Sequence, residues 1–154
     1  MEITYWGDIR GRATEFRYMV AYAKADVKFN YFSINKGAEG FAEWLQEKAQ
    51  YAVDYPLINL PFLKESNGRI ISETSAIVHH LARKFGFHPK TENEQINYDM
   101  MFNQATELND LFFQVIMQKE PGQEKSRWAK HVLPEKLEPL DKWLDLRNNL
   151  EKIQ

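Results

Sequence analysis

Two stretches of this chain hold residue types that could do chemistry. One is Ile3-Thr4-Tyr5-Trp6-Gly7-Asp8-Ile9-Arg10-Gly11-Arg12-Ala13. The other runs from Asn59-Leu60-Pro61-Phe62-Leu63 to Ile71-Ser72-Glu73-Thr74-Ser75-Ala76-Ile77. Each reads as a strand joined to a helix. Tyr5 ends the first strand with a phenol that can donate or accept a hydrogen bond. Leu60-Pro61 could expose backbone N–H and C=O groups. Glu73 and Thr74 open a helix, where unsatisfied N–H groups point at a carboxylate. Together these parts suit a small acidic thiol.

Plainer readings stand beside these. A tyrosine at a strand end is often a packing residue, and Trp44 by itself is a core or surface aromatic. Trp44 and Lys48 share a helix face at i, i+4, which favours joint contact with a ligand. Glu73 and Thr74 make a good helix start on any account. His79 and His80 are adjacent on a helix and point to different faces, and no carboxylate supports them or His88 at ligand spacing, so no metal is expected. Met100 and Met101 read as core or interface. The charges at Lys119, Glu120, Glu124, Lys125 and Arg127 read as a solvated face.

The bulk composition narrows the classes. The chain has 154 residues, of which 44% are apolar, including 10 Phe, 7 Tyr and 4 Trp, enough for a substantial core. A net charge of −2 gives no general pull toward nucleic acid or an anionic membrane. With no cysteine there is no disulfide scaffold, thiol nucleophile or thiolate metal site. No apolar run reaches bilayer length, and Met1-Glu2-Ile3-Thr4-Tyr5 lacks the regions of a cleaved signal.

The positioning elements follow from periodicity. Strands are predicted at 2–6, 28–34, 60–64 and 69–72, and helices at 13–24, 39–50 and 73–85. Phe16, Met19, Val20 and Ala23 mark the inner face of the first helix. Ser66-Asn67-Gly68 predicts a hairpin between the last two strands. A βαβ unit followed by an antiparallel hairpin and a helix predicts a mixed four-stranded sheet flanked by helices. Gly86 and Pro89 close this region, with a boundary near His88-Pro89-Lys90. Beyond it the chain reads as helical. Thr91 and Glu94 form a capping box. Met101, Ala105, Leu108, Phe112, Val115 and Ile116 make a stripe that Pro121-Gly122 breaks. A last helical stretch at 124–153, with Trp128, Val132, Leu137, Leu140, Trp143, Leu144 and Leu150, is predicted to be interrupted by Pro134 and bent at Pro139.

At these positions the chain resembles the cytosolic glutathione transferases, on the mu/sigma side of the family. Tyr5-Trp6, followed by Asp8-Ile9-Arg10-Gly11, is mu-like; Arg10-Gly11-Arg12-Ala13 is more sigma-like. Trp44-Leu45-Gln46-Glu47-Lys48, Asp54-Tyr55-Pro56, Asn59-Leu60-Pro61 and Leu133-Pro134-Glu135-Lys136-Leu137 follow in family order, so the likeness spans the chain. The resemblance implies an α/β thioredoxin-like glutathione-binding domain over 1–87 and a partial, truncated all-α domain over 90–154. It implies that Tyr5 donates to the glutathione sulfur and favours the thiolate, with Arg12 near the same sulfur. Trp44 and Lys48 match groups at the glycyl carboxylate. Asn59, Leu60 and an expected cis Pro61 would present backbone to the cysteinyl unit. Glu73 and Thr74 would hold the γ-glutamyl group, reached across a dimer interface by Glu107. Tyr55 matches an aromatic key inserted into the partner subunit. Glutathione is the implied co-substrate or ligand, and the cytoplasm the implied compartment, with an organelle or a large assembly left open.

The pattern departs from the family in three places. Tyr5 to Arg10 is one residue longer than the family's spacing because Gly7 looks inserted. A one-residue slip turns a strand side chain to the other face, so either Gly7 bulges and Tyr5 keeps its place, or Trp6 takes it in the glutathione site. Leu57-Ile58 is inserted after Tyr55 and is expected to reshape the dimer edge. The family's helical domain continues beyond what these residues would build, so Leu108, Phe112, Ile116, Trp143 and Leu144 are expected to pack on a second copy or a larger assembly. Two functions result: an enzyme adding glutathione thiolate to an electrophile, or a catalytically lapsed accessory subunit docked through its helices. A glutathione-binding module without turnover is a third.

Overall fold

The computed structural model describes residues 1–118 and 122–151. Lys119, Glu120 and the break at Pro121 lie outside the described residues, as does the side chain of Leu150. The chain divides into two compact units, Met1–His88 and Pro89–Gln154.

The first unit runs β1 (Glu2–Trp6), a 3₁₀ turn (Gly11–Ala13), α1 (Thr14–Ala23), β2 (Lys28–Phe32), α2 (Ala38–Tyr51), β3 (Phe62–Lys64), β4 (Ile70–Ser72) and α3 (Thr74–Phe85). The four strands form one sheet in the order β2-β1-β3-β4. β1 pairs parallel with β2 and antiparallel with β3, and β3 pairs antiparallel with β4. This is the mixed thioredoxin-like sheet that the element order predicts. β2 stops at Phe32 rather than 34 because Asp8 Oδ2 accepts from the Ser33 hydroxyl at 2.6 Å and the Asn35 N–H at 3.0 Å. These bonds, Asn35 first, hold the Asp8 carboxyl below the usual carboxylate range.

Alternation along the strands divides the core. On one face Phe32, Trp44, Ile58 and Phe62 form a buried cluster, with Trp6, Tyr51, Tyr55, Leu60 and Ile70 packed against it. Their rings meet at tilted and edge-on angles: Trp6 on Phe32 at 6.2 Å and Phe32 on Trp44 at 5.6 Å. On the other face Ile3 and Leu63 are fully buried, as are Phe16 of α1 and Ile77 and Leu81 of α3. Met19 and Ala23 on the predicted α1 face are half-buried. The hairpin turns at Gly68, φ 88°, with Asn67 Oδ1 accepting from the Arg69 N–H at 3.0 Å. Gly86, φ 76°, ends α3 in the left-handed cap that favours glycine.

The second unit holds α4 (Glu92–Ile116), α5 (Gly122–Arg127), a π-helical segment (Trp128–Val132) and α6 (Leu133–Glu151). Thr91 and Glu94 form the predicted capping box, with both reciprocal bonds present. Pro134 does not interrupt the last helix as expected. The run stays helical through it, with a π-helical segment just before and the Leu133 N–H reaching back five residues to the Trp128 carbonyl. The helix also continues through Pro139. Apart from Ala105, which is exposed, and Phe112, 39% exposed, the predicted α4 stripe is half-buried.

Two expectations follow for the first unit. Gly40 is buried in α2, and a Cβ there would run into the Ser33 carbonyl oxygen. Gly→Ala inside a helix ordinarily stabilises. Gly40→Ala is instead expected to destabilise by about 1–3 kcal/mol, the usual range for overpacking, as read by urea unfolding. Glu65 Oε1 accepts from Lys84 Nζ at 3.2 Å and lies 3.1 Å from His80 Nε2, clasping the hairpin to α3. The Lys84 bond, opposed by desolvation and aided by His80, holds the Glu65 carboxyl below its ordinary range. A lowered folded value contributes stability above the unfolded value and loses it as pH falls through the folded one. Glu65→Gln is therefore expected to be less stable than wild type at neutral pH, with the gap closing under acid; a pH-independent gap would contradict this.

Candidate functional site

The register of the sheet brings the predicted residues together. The last full rung across three strands is Thr4, Phe62 and Ser72. The next residues at that end of the sheet are Tyr5 on β1, Pro61 before β3 and Glu73 after β4. Three motifs far apart in sequence thus meet along one row where the ladder ends.

Tyr5 lies on the α1 face, 5% exposed, and its hydroxyl accepts the Arg12 backbone N–H at 3.0 Å. Trp6 faces the opposite way and packs on Phe32 and on Phe41, the latter at 5.1 Å. Gly7 extends the parallel ladder by donating its N–H to the Phe32 carbonyl at 2.8 Å. After Gly7, Asp8 ties down the segment after β2. Arg17 Nη1 donates to the Arg10 carbonyl at 3.3 Å and to that of Ile9 at 3.5 Å, bracing the same turn.

The Leu60–Pro61 peptide bond is cis. Asn59, just before it, is held by a residue the sequence did not single out. Ser72 Oγ accepts from the Asn59 N–H at 3.0 Å and donates to the Asn59 carbonyl at 3.2 Å. A serine at a strand end next to Glu73 carried no pattern that would have marked it, because its partner lies across the sheet.

Glu73 takes φ 71° and ψ 127° at the start of α3. Such a conformation costs a side-chain-bearing residue about 1–3 kcal/mol and tends to sit at ligand sites. Its side chain makes no capping bond to α3. Beside Ser72 and Glu73 lies a largely apolar cleft of about 320 Å³, also lined by Tyr55, Leu57, Ile58 and Ile70. Of these, Ile58 enters the core at 2% exposure, while Leu57 stays 81% exposed.

Trp44 belongs mainly to the core: 5% of it is exposed, and it stacks on Phe62 at 6.2 Å. Lys48 Nζ lies 5.9 Å from the Trp44 ring centroid, a cation–π placement. Thr74 is half-buried as the first residue of α3. In the second unit Glu107 accepts from Lys136 Nζ at 2.8 Å. Among the described residues no three His, Asp or Glu side chains converge as a metal site, and no helix is long and apolar enough to cross a membrane.

The glutathione S-transferase N-terminal domain family model matches residues 1–83. The chain is similar to glutathione S-transferase Mu 2 of Mus musculus, 29% identical over 145 residues that cover 94% of this chain and 64% of that protein. It is similar to glutathione S-transferase Mu 4 of Rattus norvegicus, 31% identical over 111 residues covering 71% of this chain and 49% of that one. The chain thus spans about half to two thirds of the length of these relatives. Among solved structures it is similar to a nematode-specific GST of C. elegans, with 26% identity, TM-score 0.64, and coverage of 86% of this chain and 60% of that one. The Fasciola hepatica sigma class GST, 17% identical, shares the fold with TM-score 0.68 over 94% of this chain and 66% of that one.

Ser72→Ala is expected to free both backbone groups of Asn59. The expected outcome is a stability loss of about 1 kcal/mol in urea unfolding, with faster hydrogen exchange at the Asn59 amide. An unchanged Asn59 amide would show that Ser72 does not hold this segment.

Proposed function

The chain belongs to the glutathione S-transferase family, and on that premise we propose that its first unit binds glutathione and readies the thiol for addition to an electrophile. The observation that carries this reading is the row Tyr5, Pro61, Glu73 at one end of the sheet. Tyr5 donates its O–H to the sulfur, which favours the thiolate. The Leu60 backbone, beside the cis bond and next to an Asn59 anchored by Ser72, pairs with the cysteinyl unit. The N–H groups at the start of α3, which the Glu73 side chain does not cap, hold the γ-glutamyl carboxylate together with Glu73 and Thr74. Lys48, with the small exposed part of Trp44, meets the glycyl carboxylate, and Trp6 supports the site from the opposite face. Arg12 adds positive charge near the sulfur.

The thiol proton leaves to solvent, and the thiolate lone pair forms the S–C bond as a π bond of the electrophile opens or its leaving group departs with the bonding pair. The gain comes from ionising the nucleophile and placing the two reactants together. Tyr55 is the dimer key and Glu107 the residue that crosses to the partner's γ-glutamyl amine. Glu107 would exchange Lys136 for that amine. The exchange is inexpensive, because exposed ion pairs contribute only about 0.2–1 kcal/mol.

A second reading is an accessory subunit docked through its helices. Supporting it, no described residue of the second unit is fully buried, and Phe112, Leu137 and Leu144 are 39%, 43% and 45% exposed.

The deciding experiment is calorimetry with glutathione, plus thiol-conjugation rates, on wild type and Tyr5→Phe. Binding is expected in both, with conjugation about 10²-fold slower in the variant, the usual loss for one preorganised donor. Binding without turnover in wild type would leave a ligand module. No binding by a folded sample would sink the enzyme and the module together and leave the accessory subunit.

A further inference from the structure

The Tyr5 hydroxyl is held from a direction that the proposed chemistry alone does not require. Its oxygen accepts the Arg12 N–H at 3.0 Å. Gly11, just before, has φ 44°, a conformation that favours glycine. A Cβ at Gly11 would fall on the Tyr5 hydroxyl oxygen and lie 3.0 Å from Cε1 and 3.1 Å from Cζ. The backbone at Gly11–Arg12 therefore lies close against the phenol, in space a side chain would fill.

A phenol has one proton and an oxygen that accepts. Where an N–H already points at the oxygen, a hydroxyl proton turned to the same side would set two positive hydrogens against each other. The hydroxyl proton must then point away from the Gly11–Arg12 peptide. A donor fixed before the substrate arrives costs no reorganisation when charge develops on its partner.

Resting on the glutathione reading for what the hydroxyl faces, we propose that Gly11 and the Arg12 amide form a positioning seat for Tyr5. The amide fills an acceptor position of the hydroxyl and turns the hydroxyl proton away from the turn, toward the thiolate. Gly11 is glycine because any side chain would push the hydroxyl off that seat.

Two measurements test the seat. The first needs no ligand. In the full chain the Arg12 amide proton is expected to exchange slowly, and to exchange faster in Tyr5→Phe, which keeps the ring and removes the acceptor. No change at that amide would overturn the proposal.

The second compares Gly11→Ala with Gly68→Ala. Both place alanine at a positive φ, but Gly68, φ 88°, has nothing within 4 Å of its would-be Cβ. Gly11→Ala is expected to lose the ultraviolet thiolate band of bound glutathione. Its conjugation rate should fall roughly 10²-fold, as for loss of one preorganised donor, with glutathione affinity nearly kept. Gly68→Ala should keep both signals. A wild-type thiolate band in folded Gly11→Ala, or an equal loss in Gly68→Ala, would overturn the seat. If wild type binds no glutathione, the functional reading falls instead, and the amide exchange decides the seat alone. The same exchange decides it if Gly11→Ala does not fold.

Discussion

β1 must satisfy two ladders and two faces with five residues, and most of the first unit depends on how it does so. It pairs along its length with β2 and over three rungs with β3. Ile3 and Tyr5 go to one face, Thr4 and Trp6 to the other. The antiparallel side ends at Thr4, so Tyr5 is the first residue free of that ladder while still held by the parallel one. This half-held position lets a buried tyrosine present its hydroxyl to a loop rather than to the core. The segments around Pro61 and Glu73 arrive at the same row because β3 and β4 inherit their register from β1.

Close backbone approach recurs wherever the unit is tightest. Gly11 lies against the Tyr5 phenol, and Gly40 lets α2 settle on the end of β2 beside the Ser33 carbonyl. Between them Asp8 collects a hydroxyl and an amide N–H from the segment that follows β2. The turn after β1 is thus tied by hydrogen bonds to the neighbouring segment. The aromatic side of the sheet works differently. Phe32, Trp44 and Phe62 fill space by ring-on-ring packing, tilted in the first pair and stacked in the second, and Trp44 is committed to that packing before any ligand is considered.

The helical unit is built on local rules more than on burial. Its capping box, its i, i+4 ion pair of Lys142 with Glu138 and its side-chain bonds back to carbonyls one turn earlier are short-range devices. The π-helical segment at Trp128–Val132 lets a helix pass into one that carries proline at its second position. Such segments occur mostly inside longer helices and often at functional places.

Order and type of elements were legible from the sequence. Periodicity, the Asn67-Gly68 turn, the Gly86 cap and the Thr91/Glu94 box are local signals, and each element they predicted is present. Strand ends were not legible, since β2 stops where Asp8 takes hydrogen bonds from the segment that follows it. The burial of Trp44 was left open by its i, i+4 relation to Lys48, which places both on one helix face without saying what that face meets. Pro134 misled because its cost depends on whether neighbouring residues can shift to five-residue hydrogen bonds, which residue type alone does not reveal. The sequence by itself determined that a tyrosine, a Leu-Pro step and a polar helix start would each end a strand or begin a helix. Only the tertiary structure decided that Tyr5 rather than Trp6 turns its side chain toward the Gly11–Arg12 turn, because strand facing is set by which ladder rungs form. Those rungs are long-range hydrogen bonds that no local run of residues encodes.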